Sequence, residues 1–269
     1  IENKVITAPA GSAKPAADHR LYFFNLIDEI DQPGESYIDR DRKIVYFYPP
    51  ADMDTADVHV STMTDTMVTL SGVSYVNFKG LDFEYTRGDV ITGTDCTNMT
   101  FDGLTIAHIS GNAMNVEAKS QRTNLALVNS HVYDIGFKGI TLDGGSWAPY
   151  TASGNRVENC RIHSCGQIFK AYAPAIAGVG MDGEIKNNKL YDSDHMLVGA
   201  GTGTQILNNE IYNAVLQSSD MGAIYWGRGV YTMGNTIKYN YFHDIGNIYG
   251  GYGQQAIFWD DFATGPEIY

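Results

Sequence analysis

From Gly72 onward one short pattern returns along the chain: an apolar residue, a variable one, Asn or Gly, two variable residues, then an apolar residue again. It starts at Phe78, Phe101, Leu127, Val157, Ile185, Ile206 and Ile237, so successive starts lie 23, 26, 30, 28, 21 and 31 residues apart. Asn129, Asn159, Asn187 and Asn208 hold the third position in four copies, and Gly80 and Gly103 in two. In the last copy Tyr239 stands there and Asn240 follows. A polar tail closes most copies, as in Val132-Tyr133-Asp134, Leu190-Tyr191-Asp192, Ile211-Tyr212-Asn213 and Phe242-His243-Asp244. A unit of roughly 20 to 30 residues cannot bury its apolar side alone but can when copies stack. The pattern therefore predicts an all-β solenoid, a parallel β-helix, over 72–269. Asn and Gly fall at its corners, where the backbone needs φ > 0, and stacked Asn side chains bond to one another along the axis. The repeated Tyr, Phe and Ile positions read as core ladders. Variation in coil length goes into loops, where binding surfaces are commonly built.

The first 71 residues lack this repeat and form a separate segment that packs on or caps the solenoid. Ile1 to about His19 show no periodicity. Tyr22, Phe23, Leu26, Ile27 and Ile30 fit one face of a helix over 21–30. Ser36-Tyr37-Ile38 and Lys43 to Tyr48 read as a hairpin around Asp39-Arg40-Asp41-Arg42, stopped by Pro49-Pro50. Val58-His59-Val60 and Met67-Val68-Thr69-Leu70 read as further short strands.

Charge narrows the function. With Lys+Arg 18 against Asp+Glu 31 the formal net charge is −13, which argues against a nucleic-acid partner, since phosphate backbones need clustered cations. No apolar run reaches the roughly 18 to 20 residues that span a bilayer. The three cysteines, Cys96, Cys160 and Cys165, are too few and too unevenly spaced for a disulfide framework or a metal site, and read as buried free thiols. No phosphate loop, Gly-x-Ser-x-Gly or His-Glu-x-x-His motif occurs; Gly199-Ala200-Gly201-Thr202-Gly203 falls in a coil turn. Neither a metal nor a cofactor is implied.

Carboxylates remain. Asp220-Met221-Gly222-Ala223-Ile224-Tyr225-Trp226-Gly227-Arg228 aligns with Gln255-Ala256-Ile257-Phe258-Trp259-Asp260-Asp261 one coil later, Ala-Ile-Tyr-Trp over Ala-Ile-Phe-Trp. Glycosidic cleavage needs two acids, about 5 Å apart for retention and about 6.5 to 9.5 Å for inversion. Asp220, Asp261 and Asp260 are the candidates, although Asp220 precedes its strand and Asp261 follows its own. The solvated-corner alternative stands beside each of them. Tyr225, Trp226, Trp259, Tyr231, Tyr249 and Tyr252 can stack on sugar rings. His195 aligns with Gly222 and Gln255 in the same column, and Arg228 is placed to hold a carboxylate or a substrate hydroxyl.

Two stretches resemble a known family. Asp31-Gln32-Pro33-Gly34-Glu35-Ser36-Tyr37-Ile38-Asp39-Arg40 with Ile44-Val45-Tyr46-Phe47-Tyr48-Pro49-Pro50 looks like the segment before the solenoid in right-handed parallel β-helix glycosidases. Asp220-Met221-Gly222-Ala223-Ile224-Tyr225 and Ala256-Ile257-Phe258-Trp259-Asp260-Asp261 resemble the two acidic motifs of glycoside hydrolase family 141, which includes α-L-fucosidase and xylanase activities. The resemblance implies a right-handed, pectate-lyase-like β-helix and a two-aspartate hydrolase, in the retaining form. It places one catalytic role on Asp220 and the other on Asp261, with Asp260 as competitor. The substrate is then a plant or host oligosaccharide or polysaccharide, and the protein a monomer, secreted or periplasmic in a bacterium. In that family further coils would follow Tyr269. The rival readings are a polysaccharide lyase on the same fold, which abstracts a proton next to a uronate carboxylate, and a non-catalytic carbohydrate-binding or adhesin β-helix.

Overall fold

The apolar residues that open each repeat lie directly above one another. In the computed structural model, which describes residues 24–246 and 252–269, Phe78, Phe101, Leu127, Val157, Ile185, Ile206 and Ile237 are successive Cα partners in one parallel sheet. Ile268 joins the column as an eighth member. Each coil gives one strand to each of three parallel sheets. Sheet one runs from Val68–Ser71 to Gln254–Trp259, sheet two from Asn77–Lys79 to Glu267–Ile268, and sheet three from Asp82–Glu84 to Tyr241–Ile245. Among the described residues they hold 8, 8 and 7 strands, which makes seven complete coils and two strands of an eighth. The solenoid is right-handed, as nearly all crossovers between parallel strands of one sheet are.

Each strand turns one row of side chains inward. Phe101, Ile106, Met114, Leu127, Ile140, Ile162, Ile185, Leu190, Ile206 and Ile224 are fully buried in a single continuous core. Cys96, Cys160 and Cys165 are buried free thiols, and burial pushes Cys160 and Cys165 up to about 12.

The corners require the left-handed backbone. Between sheets two and three, Gly80, Gly103, Asn129, Asn159, Asn187, Asn208 and Tyr239 all have positive φ, between 53° and 65°. Tyr239 is thus in step with the column rather than displaced from it. The continuous amide ladder, however, stands one residue later. Asn188, Asn209 and Asn240 each accept, on Oδ1, the backbone N–H of the residue one coil back (Cys160, Asn188 and Asn209) at 2.9 Å. Their amides also donate to core-side carbonyls, Asn188 to Val157, Asn209 to Ile185 and Asn240 to Ile206. The outer column makes one such link, Asn159 to Asn129 at 2.7 Å.

Tyr133, Tyr191 and Tyr212 depart from the core-ladder expectation. They alternate with inward Val132, Leu190 and Ile211 and so lie on the outer side of sheet three. There Tyr133, His163, Tyr191, Tyr212 and His243 stack ring on ring, with centroids 4.4 to 5.4 Å apart.

The chain divides into two compact units, Ile1–His59 and Val60–Tyr269, so the division falls earlier than 71/72. Val68–Ser71 already belongs to the solenoid, pairing with Ile91–Thr94 in sheet one. Val58 and Val60 form no strand. In the first unit the expected hairpin is present, Ser36–Asp39 antiparallel to Ile44–Phe47. The described part of the predicted helix is only a single turn, Ile27–Glu29. Asn25 interrupts it: its φ is 58° and its side chain grips the Ile38 backbone at both N–H and carbonyl.

Candidate active site

The paired motifs form the register expected of them. Met221–Trp226 runs parallel to Gln254–Trp259, with Ile224 against Ile257, Tyr225 against Phe258 and Trp226 against Trp259. The ladder continues past the strand ends, Asp260 N–H to the Trp226 carbonyl and Arg228 N–H to the Asp261 carbonyl, both at 2.8 Å. Asp260 and Asp261 therefore sit at the corner between sheets one and two, stacked on Gly227 and Arg228. Asp261 turns into the left-handed region (φ 29°), and its N–H closes on Asp260 Oδ1 at 2.9 Å. That turn brings two neighbouring acids to one corner, where a straight strand would have sent them to opposite sides.

The two carboxylates have different partners. Asp260 Oδ2 accepts the Tyr225 hydroxyl at 3.1 Å, and burial, followed by that hydrogen bond, pushes Tyr225 up to about 12. Asp261 faces Arg228, Oδ2 to Nε 3.5 Å, on a solvent-exposed edge. Gly227 makes the first contact possible: a Cβ there would lie 2.7 Å from the Tyr225 hydroxyl and 3.2 Å from the Asp260 Cβ.

Asp220 stands elsewhere. It occupies the corner before Met221, in the left-handed region at φ 56°, and its N–H donates to the Tyr252 carbonyl. The strand between it and the Asp260 corner, Met221–Trp226, is six residues long, about 16 Å at about 3.3 Å per step. The structure thus does not bring Asp220 within the roughly 5 to 9.5 Å that a two-carboxylate mechanism uses. Asp220 and Asp261 are not a pair; Asp260 and Asp261 are neighbours.

His195 lies in the corner before Val198–Gly199. Val198 pairs with Ile224 and the Leu197 N–H bonds the Ala223 carbonyl, which puts His195 at the corner before this strand, close to the level of Gly222. The imidazole is only 7% exposed, its Nδ1 has no hydrogen-bond partner, and burial lowers it to about 4. It is a neutral ring at pH 7. Tyr172, in the loop before Ile176–Gly178, lies against it at 4.7 Å. Lys170 of the same loop is paired with Asp194 at 2.7 Å.

Trp226 and Trp259 are packed against the hydrophobic core, as Tyr225 is, and have buried indole N–H groups. They are walls rather than open sugar platforms. Tyr249 lies outside the described residues. Beside Trp226, on the same corner two to four coils back from the acids, is a pocket of about 280 Å³ bounded by Asp143, Gly178, Met181, Gly201 and Thr202. A Cβ at Gly178 would meet nothing within 4 Å, so the pocket floor is bare backbone with open space above it.

Sequence reading missed the pocket's rim. Between Ile140–Asp143 and Arg156–Glu158 the chain leaves the solenoid as a small hairpin, Ser146–Trp147 with Tyr150–Thr151. The Tyr150 hydroxyl reaches both oxygens of Asp182, at 2.6 and 2.8 Å, which pushes Tyr150 up to about 12. The signal was available as Gly144-Gly145-Ser146-Trp147-Ala148-Pro149-Tyr150 in the 30-residue interval between repeats, but only register shows which corner it leaves. Among the described residues no group of three or more His, Cys, Asp or Glu is arranged to hold a metal ion.

Fold and site together define a parallel β-helix with an acid corner beside a glycine-floored pocket. No protein-family model matches the chain, and neither does any curated protein. Among solved structures it is similar to the mannuronan C-5 epimerase AlgE4 A-module of Azotobacter vinelandii, at 16% identity and a TM-score of 0.34 over 75% of this chain. The match spans 57% of that structure's length.

Proposed function

We propose that this protein is a carbohydrate-active enzyme, a glycoside hydrolase that cleaves a plant or host glycan at the corner between sheets one and two. The observation that carries the reading is the placing of two aspartates with unlike partners, Asp260 under a tyrosine hydroxyl and Asp261 beside a guanidinium, at one corner of the solenoid. Unlike environments are how a carboxylate pair divides its work: one protonates the leaving oxygen, and the other attacks the anomeric carbon or activates water. Tyr225 fixes the Asp260 carboxyl, and Arg228 orients Asp261. The motif resemblance to glycoside hydrolase family 141 supports the same reading, with Asp260 in place of Asp220 as the second acid.

One observation favours a second reading. His195, neutral and with a free Nδ1 beside exposed Tyr172, is equipped to take a proton, as a polysaccharide lyase requires. Turnover separates the two. Aryl glycosides and neutral polysaccharides are to be assayed for new reducing ends, and uronate polymers for the conjugated double bond of elimination. New reducing ends lost in Asp260→Asn and Asp261→Asn support the hydrolase; a double bond formed by the parent and lost in His195→Gln replaces it with the lyase. Glycan binding without either product leaves a binding module.

A further inference from the structure

The hairpin at Trp147 has no part in the core. Trp147 is 46% and Tyr150 58% exposed, and across from them Tyr231, on the loop after Trp226, is 65% exposed. Large aromatic surface left in water is unfavourable unless something covers it. Both loops are rooted on the pocket wall. Met181, a lining residue, meets the base of the hairpin, where a Cβ on Gly145 would lie 2.7 Å from its own Cβ. Thr202, another lining residue, donates its hydroxyl to the Tyr231 carbonyl at 2.8 Å. From these two anchors Trp147 and Tyr231 approach to 5.9 Å between ring centroids, inclined at 54°. A stacked pair would use up its own faces. An inclined pair leaves ring surface open, and that surface suits the C–H face of a sugar ring.

The charges around the pocket select among glycans. Asp143 lines it, Asp182 adjoins Met181 and holds Tyr150, and no Lys or Arg is among the lining residues. A uronate or sulfated sugar placed here would face like charge with no cation in the lining to meet it.

We propose that Trp147 and Tyr231 form an aromatic clamp for one uncharged pyranose ring, so that the substrate is a neutral glycan. The inference rests on the reading of this corner as the glycan-processing one. Its test reads binding, not turnover. Tryptophan emission of the full chain is titrated with neutral xylo-, gluco- and fucosyl-oligosaccharides and, at equal length, with oligogalacturonate. A neutral oligosaccharide should bind and shift the emission, the uronate should not, and Trp147→Phe should bind while losing most of the shift. Trp147→Ala and Tyr231→Ala should each weaken binding about tenfold, the scale of one aromatic contact, with circular dichroism unchanged. Binding that persists without turnover in the parent overturns the hydrolase and keeps the clamp. Preference for the uronate, binding indifferent to both aromatic substitutions, or no binding of any neutral probe overturns the clamp.

Discussion

At the scale of single residues, the site depends on a contact that only glycine permits. Tyr225 and Asp260 meet across Gly227 because no Cβ intervenes. Tyr225→Phe keeps the ring and removes the hydroxyl; it should lower kcat about tenfold with little change in melting temperature, since a hydrogen bond to a charged group contributes about 1.5 kcal/mol or more. Equal kcat in the variant would show that Asp260 needs no such support. Histidines set the pH response. Burial, and then nearby positive charge, lowers His131 and brings His163 to about 4, and the two share one Nε2–Nε2 hydrogen bond of 3.0 Å that two charged rings could not make. His195 is lowered to about 4 by burial alone. An unfolded chain protonates these rings near 6.5, so between about 6.5 and 4 the unfolded state binds more protons and stability falls as pH falls. His243, raised by Asp244 and Glu210, contributes in the opposite sense, with stability present below about 6.5 and lost as pH rises through its folded value. Three rings against one predict a melting temperature that drops from pH 7 to pH 4.5. His163→Gln should flatten that drop, and an unchanged slope would remove His163 from the account.

At the scale of strands and corners, the solenoid was legible because its signal is periodic. Phe78 to Ile237 are visible as a column in sequence and are a column in space. Asn at the corners was legible too, but its two uses were not separable: Asn187 supplies a left-handed residue and Asn188, beside it, supplies the ladder. The difference is measurable by chemical denaturation. Asn209→Ala strands the buried Asn188 N–H and the Ile185 carbonyl and should cost about 2 to 4 kcal/mol, at about 1 to 3 kcal/mol per unsatisfied group. Asn208→Ala should cost about 1 kcal/mol, the scale of left-handed strain. Equal costs would contradict the division. Tyr133, Tyr191 and Tyr212 were read as core because sequence period alone does not tell inward from outward; that needs the alternation with Val132, Leu190 and Ile211.

At the scale of the whole molecule, the sequence located the acids beside their strands, but the distance between Asp220 and Asp261 needed the fold. The family resemblance assigned the roles to Asp220 and Asp261, at opposite ends of their strands, and a strand six residues long separates their corners. The converse error hid the pocket, since Trp147 and Tyr231 are 84 residues apart in the chain (231 − 147) and in ring contact in the fold. Winding brings distant loops to one corner and holds near neighbours a strand apart, so the unit of function in a solenoid is the corner. The central claim is that catalysis belongs to the corner of Asp260 and Asp261 and not to that of Asp220. Cleavage of the best neutral substrate by Asp220→Asn, Asp260→Asn and Asp261→Asn, measured side by side with folding verified, tests it most directly. The account predicts losses of at least about a hundredfold in Asp260→Asn and Asp261→Asn, the scale of a lost acid or base, and turnover within about threefold of the parent in Asp220→Asn. A loss in Asp220→Asn as deep as in Asp261→Asn, with Asp260→Asn active, would contradict it and restore the pair that the motifs alone suggested.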